Sequence, residues 1–220
     1  ANLPDIDIDR DNIPAKIKAA YFDLIIYGSI HRCSCYLPDV LKVYPPSRVA
    51  FIDGEDWTRM KLKWRLLGKG IYFKRELVRP MLPYLHPIHF AVPVGKFLTD
   101  RAFEENLLRK KHVFAPCDPR DRSTYKFHTE AAYYQQYQES YFGVTMKKAG
   151  WDCMRHHEIA SQGTAPYFLG LEDCPDWTMH RLPRSLLCAL SQLVELDERM
   201  ELPETRARYC GLMRTLFAYY

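Results

Sequence analysis

Residues 141–169, YFGVTMKKAGWDCMRHHEIASQGTAPYFL, predict a strand, a helix and a second strand in close succession. The first apolar run, Tyr141–Met146, predicts a strand. The helix is predicted over Cys153–Gln162, because Asp152 can cap its first turn and Gly163 suits a left-handed residue at its end. A helix between two strands favours a parallel pair, so this stretch predicts an α/β fold.

The same alternation of strands and helices continues on both sides of this stretch. The other predicted strands are Tyr21–Ile30, Arg48–Asp53, Gly70–Lys74, His89–Val94, Val113–Ala115 and Ala165–Leu169. The other predicted helices are Ala15–Ala20, Leu37–Val43, Trp57–Leu67, one within KFLTDRAFEENLLRKK (96–111), Glu130–Gln138, Pro183–Leu196 and Pro203–Ala218. This order predicts mainly parallel sheets. The order of strands and helices begins again near residues 100–112. This repetition predicts two halves of similar size, 1–105 and 106–220.

The composition favours a globular chain and argues against two classes of partner. The chain has 220 residues, 47% of them hydrophobic, and a formal net charge of +4. Its basic residues are mixed with acidic ones, so no nucleic-acid partner is predicted. It has no apolar run long enough for a transmembrane segment. The acidic start, ANLPDIDIDRDNIP, does not resemble a signal peptide, and the missing initiator Met predicts a domain of a longer protein.

The cysteine pattern favours reduced thiols. The chain has seven cysteines, an odd number spread over its length. That pattern favours an intracellular, cytoplasmic location over a disulfide framework. Cys33 and Cys35 are separated by one residue, with no second close pair to complete a zinc site.

Charged residues gather around the predicted helix that follows Met146. Arg155 and Glu158 are three residues apart and share one helix face. Lys147 and Lys148 follow the preceding strand, at the edge of a parallel sheet where nucleotides bind. Lysines and free helix amides attract a diphosphate, and a glutamate accepts hydrogen bonds from both hydroxyls of a ribose. The pattern therefore predicts a nucleotide-sugar site; the alternative is a surface ion pair between Arg155 and Glu158.

Three carboxylates, Asp53, Glu55 and Asp56, follow the predicted strand that ends at Asp53. Acidic residues at this end of a strand lie where α/β folds bind ligands. One of them is predicted to be a general base that deprotonates an acceptor hydroxyl. The alternatives are a divalent-metal site and a solvated turn in which Asp56 caps the next helix.

Other polar residues are weaker candidates. His31, which follows YGSI, is the second candidate for the general base. Lys74 and Arg75 end another strand and point to alternate sides, so at most one of them enters a given crevice to bind phosphate or acceptor.

The second half has weaker candidates as well. The loop APCDPRDRSTY (115–125) offers Arg120, Arg122, Ser123 and Thr124 to a diphosphate, or else is a mobile surface loop. Tyr167 and Phe168 are predicted to lie near the nucleobase. Cys153 and His157, four residues apart, lack a third metal ligand, and packing is favoured for them. Packing is also favoured for the tyrosines of AAYYQQYQESYF (131–142).

The run R-x-x-E-x-x-x-x-G-x-x-P, formed by Arg155, Glu158, Gly163 and Pro166, resembles the donor-binding helix of exostosin-like and related GT-B glycosyltransferases. The longer phrase SYFGVTMKKAGWDCMRHHEIASQGTAPYF is similar to a group of bacterial and large-DNA-virus glycosyltransferases. The phrases FDLIIYGSIHR, FIDGED and YFKREL resemble the N-terminal parts of the same group. The resemblance covers most of residues 20–185.

The resemblance implies two small Rossmann-like halves that face a cleft, with the donor on the C-terminal half and the acceptor on the N-terminal half. It implies that Glu158 contacts the donor ribose and that Arg155 lies near the donor phosphates. Many members have another glutamate seven residues before the ribose glutamate, where this chain has Trp151. The implied donor is a nucleoside diphosphate sugar such as a UDP sugar, and relatives in viruses suggest a deoxysugar such as rhamnose.

The candidate residues form three sets. The predicted donor-binding residues are Lys147, Lys148, Trp151, Arg155, His156, Glu158, Gly163, Arg120 and Thr124. The predicted catalytic residues are Asp53, Glu55 and His31, and the predicted acceptor-side residues are Asp56, Lys74 and Arg75. The predicted partners are a nucleotide-sugar donor and a glycan acceptor. No cofactor and no metal ligand are predicted.

Two alternatives to a GT-B glycosyltransferase remain open at this point. The first is a metal-dependent GT-A enzyme in which Asp53, Glu55 and Asp56 hold a divalent cation on the donor diphosphate. The second is a non-catalytic nucleotide-binding or glycan-binding module of a larger protein.

Overall fold

The computed structural model of the chain describes residues 11–60, 65–80, 83–195, 200 and 202–220. These residues form seven α-helices and seven β-strands, and the fold class is α/β, as predicted. In chain order the elements are α1 (Ile13–Lys18), β1 (Ile25–Tyr27), α2 (Leu37–Val43), β2 (Val49–Asp53), β3 (Ile71–Lys74), β4 (Leu85–Pro87), α3 (Asp100–Leu108), β5 (His112–Phe114), α4 (Glu130–Gln138), β6 (Ser140–Met146), α5 (Met154–Ser161), β7 (Ala165–Leu169), α6 (Arg184–Glu195) and α7 (Pro203–Tyr219).

The chain divides into two compact units, one ending at Ile88 and the other formed by His89–Tyr220. This division comes earlier than the predicted boundary at residues 105/106. The reason is that α3 packs on the second unit: Phe103 and Leu107 are buried in the same core as Phe142 of β6.

The first unit is built on a parallel sheet with the strand order β1-β2-β3-β4. The inner strand β2 is almost wholly buried, as its apolar sequence VAFID predicts. The core of this unit combines Phe51 of β2 with Tyr72 of β3 and with side chains of α1 and α2 such as Ile17 and Val40. Because neighbouring parallel strands end at one edge, the carboxyl ends of β2 and β3 bring Asp53 and Lys74 together, and the two residues pair in register.

The second unit is built on a parallel sheet with the order β5-β6-β7. The central strand β6 is buried along nearly its whole length. Helix α5 packs closely against it at Gly143, where a Cβ atom would lie 2.9 Å from the side chain of Ile159. The loops after β5 and β6 leave the sheet at the same edge, and α5 begins there.

A buried lysine joins the ends of two helices in the second unit. The Nζ atom of Lys110 donates to the backbone oxygen of Gln138 at the end of α4 (3.1 Å) and to that of Gly163 after α5 (2.7 Å). The Gln138 carbonyl also accepts from Asn106 Nδ2 at 2.6 Å. Donors are favourable near helix C-termini, and burial lowers the pKa of Lys110 to about 7. Lys110 therefore fixes the two helices that carry the candidate site described below.

The predicted elements from residue 113 onward are confirmed to within two residues, and Leu37–Val43 and Glu130–Gln138 have the predicted bounds. Gly163 has the predicted left-handed conformation, with φ +68°. The prediction for Trp57–Leu67 falls partly on residues 61–64, outside the described residues; residues 57–60 are not helical.

Three local predictions are wrong. Residues 89–93 are not a strand; the fourth strand is Leu85–Pro87, and the amide of Phe90 donates instead to Asp152. The strand predicted at Tyr21–Ile30 is limited to Ile25–Tyr27, because it lies at the sheet edge and leaves its outer face exposed. The side chain of Asp152 does not cap α5, since it accepts from Phe90 and the N-cap residue is Cys153.

The helix-joining role of Lys110 predicts a stability loss on substitution. Lys110→Met removes the donor to the Gly163 carbonyl and one of the two side-chain donors to the Gln138 carbonyl, the other being Asn106 Nδ2, so we expect the free energy of unfolding to fall by about 1–3 kcal/mol. Lys111→Met is the control, because Lys111 is exposed and pairs only with Glu139, a surface pair worth about 0–1 kcal/mol. Chemical denaturation of both variants measures the difference. Equal stability of the two variants would contradict the role of Lys110.

Candidate functional site

Five residues of the second unit come together at the carboxyl edge of its sheet, and we call them the Arg155 cluster: Tyr125, Tyr133, Tyr137, Arg155 and Glu158. Tyr125 lies in the loop after β5, and Arg155 and Glu158 lie on successive turns of α5. Tyr133 and Tyr137 are one turn apart on α4, and their hydroxyls are 3.0 Å apart. Both helices run back from this edge, so the sheet fixes the positions of all five side chains.

Two nitrogen atoms of the partly exposed Arg155 guanidinium are buried without partners. Its Cζ atom lies 5.5 Å from the centroid of the Tyr125 ring. The Nε and Nη1 atoms are buried and have no hydrogen-bond partner among the described residues. Arginine stays charged in proteins, so this arrangement removes a cation from water without replacing its hydrogen bonds. An oxyanion placed against Nε and Nη1 would supply the missing acceptors.

Glu158 is half-buried near Arg155, Lys96 and Tyr133. Burial raises the pKa of its carboxyl, and the positive charges of Arg155 and Lys96 and the hydroxyl of Tyr133 oppose that rise. Within the described part of the chain, Arg155 and Glu158 do not form the surface ion pair that was the alternative interpretation. The carboxylate therefore remains available as an acceptor.

Two exposed lysines lie at the margin of the cluster. The Nζ atom of Lys148 lies 5.9 Å from the centroid of the Tyr125 ring, so the same ring contacts both Lys148 and Arg155. Lys147 lies over Trp151, with Nζ 5.0 Å from its ring centroid. A cavity of about 330 Å³ is lined by Tyr125, Tyr133 and residues 127–130, so two tyrosines of the cluster border it, whereas Arg155 and Glu158 do not. That volume lies within the range of small-ligand sites.

Two predicted donor residues, His156 and Trp151, belong to the core instead. His156 is fully buried; its Nε2 donates to the carbonyl of Trp151 (2.7 Å), and its Nδ1 accepts from the hydroxyl of Thr145 (2.8 Å). Burial lowers the pKa of His156 to about 4, so the ring is neutral at pH 7. The ring of Trp151 is buried against Phe168, with centroids 6.3 Å apart. Phe168 is itself buried. None of these side chains is placed to contact a nucleotide.

Three other predicted donor residues also have structural roles. Gly163 lies at the far end of α5, where a Cβ atom would come within 2.9 Å of Asn106. Arg120 is exposed and bound to the carboxylate of Asp118. The hydroxyl of Thr124 accepts from the amide of Asp118 at 3.0 Å. The loop that contains Arg120 and Thr124 is thus held by its own hydrogen bonds, and its contribution to the cluster is Tyr125.

A larger cavity of about 820 Å³ lies elsewhere in the second unit. Its walls are mainly apolar and aromatic, and none of the predicted donor residues lines it. Two of its charged residues, Glu104 and Arg214, neutralise each other through two contacts of 2.8 Å. The candidate site is therefore placed at the Arg155 cluster, where the charged groups are not matched to each other.

In the first unit, Asp53 forms the centre of a buried hydrogen-bond network. Its carboxylate contacts His31 Nε2 (2.9 Å), the Tyr72 hydroxyl (2.9 Å) and Lys74 Nζ (3.2 Å), and it accepts from the amide of Glu55 (3.3 Å). Burial raises the pKa of this carboxyl, but the donors at His31, Lys74 and Tyr72 outweigh it and leave the pKa lowered. The network does not suit Asp53 as the general base, because its oxygens are buried and already occupied.

The same network orients His31. Its Nε2 faces the charged Asp53, so Nε2 carries the proton and Nδ1 is the basic atom. Within the described residues Nδ1 has no hydrogen-bond partner, and the side chain is 16% exposed to solvent. A carboxylate that orients a histidine and stabilises its protonated form is the arrangement used in general-base catalysis.

The remaining acidic and basic candidates of the first unit are paired with each other. Glu55 pairs with Arg32 at 3.4 Å, and Asp56 pairs with Arg75. Lys74 is fully buried on Asp53. Neither Lys74 nor Arg75, itself buried, is placed to hold an acceptor.

The three carboxylates each face a different cation, which does not favour the divalent-metal interpretation. In the described part of the chain, no three His, Cys, Asp or Glu side chains converge as a metal site requires. Cys153 and His157 accordingly remain a pair without a third ligand.

The sequence analysis missed the tyrosines of the cluster. Tyr133 and Tyr137 share a helix face with Glu130, and that spacing could have placed them beside α5. Tyr125 had no such signal, because the loop that carries it is shaped by side-chain hydrogen bonds of Asp118 and Asp121. Tyr72 gave no signal either, since its hydroxyl interacts with a residue of another strand.

No protein-family model, curated protein or solved structure matches the chain. Throughout the described residues, each helix is too short or too polar to cross a membrane.

The neutral state of His156 predicts a pH dependence of stability. Its folded pKa of about 4 is below the ordinary value of 6.5, so the unfolded state binds more protons between these values. The stabilisation is complete above pH 6.5 and is lost as the pH falls to 4, by up to about 3 kcal/mol. His156→Gln should flatten this dependence, whereas His112→Gln, at an exposed position, should not. Equilibrium unfolding across this pH range measures it, and parallel curves for wild type and His156→Gln would refute it.

Proposed function

We propose that this chain is a glycosyltransferase that moves a sugar from a nucleoside diphosphate donor to a glycan acceptor. The observation that carries the proposal is the partly exposed guanidinium of Arg155, whose buried Nε and Nη1 have no partner among the described residues, near the half-buried carboxylate of Glu158. One group requires an anion and the other accepts hydroxyl donors. A nucleoside diphosphate offers both along one molecule.

In this proposal the donor lies across the Arg155 cluster. Arg155 binds the diphosphate through its guanidinium, and Lys148 adds a second positive charge from the margin. Glu158 accepts hydrogen bonds from the ribose hydroxyls. Tyr125 and Tyr133 supply aromatic surface beside the cavity for the base or the sugar. The resemblance to GT-B enzymes assigns the same two roles to Arg155 and Glu158.

His31 is the proposed general base. Within the first unit, the acceptor proton passes to His31 Nδ1, and Asp53 stabilises the positive charge that forms on the ring. Within the second unit, Arg155 and Lys148 balance the negative charge of the donor diphosphate. Glu55 and Asp56 have no role in this scheme because arginines pair with them.

Nucleotide binding by the Arg155 cluster is tested by a thermal-shift screen of nucleoside diphosphates and their sugars. We expect at least one nucleotide to raise the melting temperature of the wild type, and Arg155→Met and Glu158→Ala to weaken its binding by about tenfold or more, because each removes a charged hydrogen-bonding group. Arg120→Ala is the matched control, an exposed arginine of the neighbouring loop that is paired with Asp118. Equal shifts in all four proteins would remove the cluster from the site.

The role of His31 is tested by the release of nucleoside diphosphate from the stabilising donor, with a panel of monosaccharides as acceptors. We expect His31→Gln to lower kcat by about 10²–10⁴-fold, the usual contribution of general-base catalysis, and to leave nucleotide binding unchanged. His86→Gln is the control, since its Nε2 only contacts the carbonyl of Pro83. Wild-type turnover in His31→Gln would reject His31 as the base. Nucleotide binding without sugar release in the wild type would support a binding module instead.

A further inference from the structure

Two exposed thiols lie side by side in the turn after β1. Cys33 and Cys35 are separated by one residue, and their sulfur atoms are 3.5 Å apart. The turn is held at both ends: the amide of Cys33 donates to the carbonyl of Ser29, and the hydroxyl of Tyr27 donates to the carbonyl of Cys35. Between these anchors, residues 33 and 34 have no regular secondary structure. The turn therefore presents both sulfurs to solvent at close range.

The other five cysteines differ in their surroundings. Cys117 and Cys174 are buried, and Cys153 and Cys210 are partly buried. Cys188 on α6 is exposed, but it is far in sequence from the turn of Cys33. Cys188 therefore provides a comparison for a thiol that is accessible without a neighbouring cysteine in its own segment.

The two thiols of the turn are not equivalent. The sulfur of Cys33 lies 3.5 Å from that of Cys35, and hydrogen bonding with Cys35 lowers the pKa of Cys33. The shared proton raises the pKa of Cys35. The thiolate is the reactive form in thiol–disulfide exchange, so Cys33 is the thiol that reacts first with an external disulfide.

We infer that Cys33 and Cys35 form a redox site, which exchanges with low-molecular-weight disulfides such as glutathione disulfide and closes to an internal disulfide. The thiolate of Cys33 attacks one sulfur of glutathione disulfide, and one glutathione leaves as the thiolate. Cys35, after losing its proton to solvent, then attacks the Cys33 sulfur and displaces the second glutathione. Two protein thiols are oxidised, and one glutathione disulfide is reduced to two glutathiones.

Closure needs only a local movement. The sulfurs must approach from 3.5 Å to about 2.05 Å, the length of a disulfide bond. The residues that must adjust are exposed and lie outside the helices and strands. An exposed disulfide of this kind is readily reduced again, which makes the site reversible. The inference concerns thiol chemistry and does not rest on the proposed function.

The test is to equilibrate the reduced full-length chain with glutathione buffers of increasing glutathione disulfide content, quench by alkylation, and map the thiols by mass spectrometry. We expect the wild type to lose the mass of two hydrogen atoms, with Cys33 and Cys35 in one disulfide, and excess reduced glutathione to reverse the change. Cys35→Ser should instead retain a glutathione adduct on Cys33, since the second exchange step is removed. Cys188→Ser should behave as the wild type at the Cys33–Cys35 pair.

Two results would overturn the inference. One is a wild type that carries stable glutathione adducts on Cys33 or Cys35 with no internal disulfide. The other is a pair that stays reduced under conditions in which Cys188 is glutathionylated. Because both cysteines are exposed, the serine variants are expected to fold, and circular dichroism spectra matching the wild type verify this.

Discussion

A buried guanidinium without acceptors is costly, and Arg155 is in that position at two of its nitrogen atoms. Nearby groups reduce the cost without removing it, because the Tyr125 ring offers a cation–π contact and no hydrogen bond to Nε or Nη1. The strands of the second sheet, the two helices above it and Lys110 hold the charge in this place. The functional proposal depends on this one mismatch.

The buried charged groups of Asp53 and Arg155 are treated in opposite ways. In the first unit, Asp53 is surrounded by donors from His31, Tyr72 and Lys74, so its charge is matched within the protein. In the second unit, Arg155 has no such set of partners. A matched network favours fixed geometry, which suits a residue that orients a base. An unmatched charge favours a ligand, which suits the binding of a diphosphate.

The strands and helices of the second unit were predictable because their signals are local. The apolar run of β6, the glycine after α5 and the apolar run of β7 each act over a few residues. The strand predicted at His89–Val94 failed for a non-local reason: the amide of Phe90 donates to Asp152, a residue 62 positions later in the chain.

The candidate site was predictable only in part for the same reason. Arg155 and Glu158 share a helix face, and their spacing placed them together. No local feature of the sequence distinguishes His156 from its neighbours on α5. Only its contacts with Thr145 and Trp151 show that it belongs to the core. The exchange of roles between Asp53 and His31 depends on residues from three separate segments. No spacing rule connects those segments.

The central claim is tested most directly by observing the Nε–H signal of Arg155 in a ¹⁵N NMR spectrum, assigned by its loss in Arg155→Lys, during a titration with inorganic pyrophosphate. The account predicts that this signal shifts in a saturable way and that its exchange with water slows, while the signal of the exposed Arg120 changes little. An Arg155 signal that does not move at saturating pyrophosphate, or one that moves no more than that of Arg120, would contradict it.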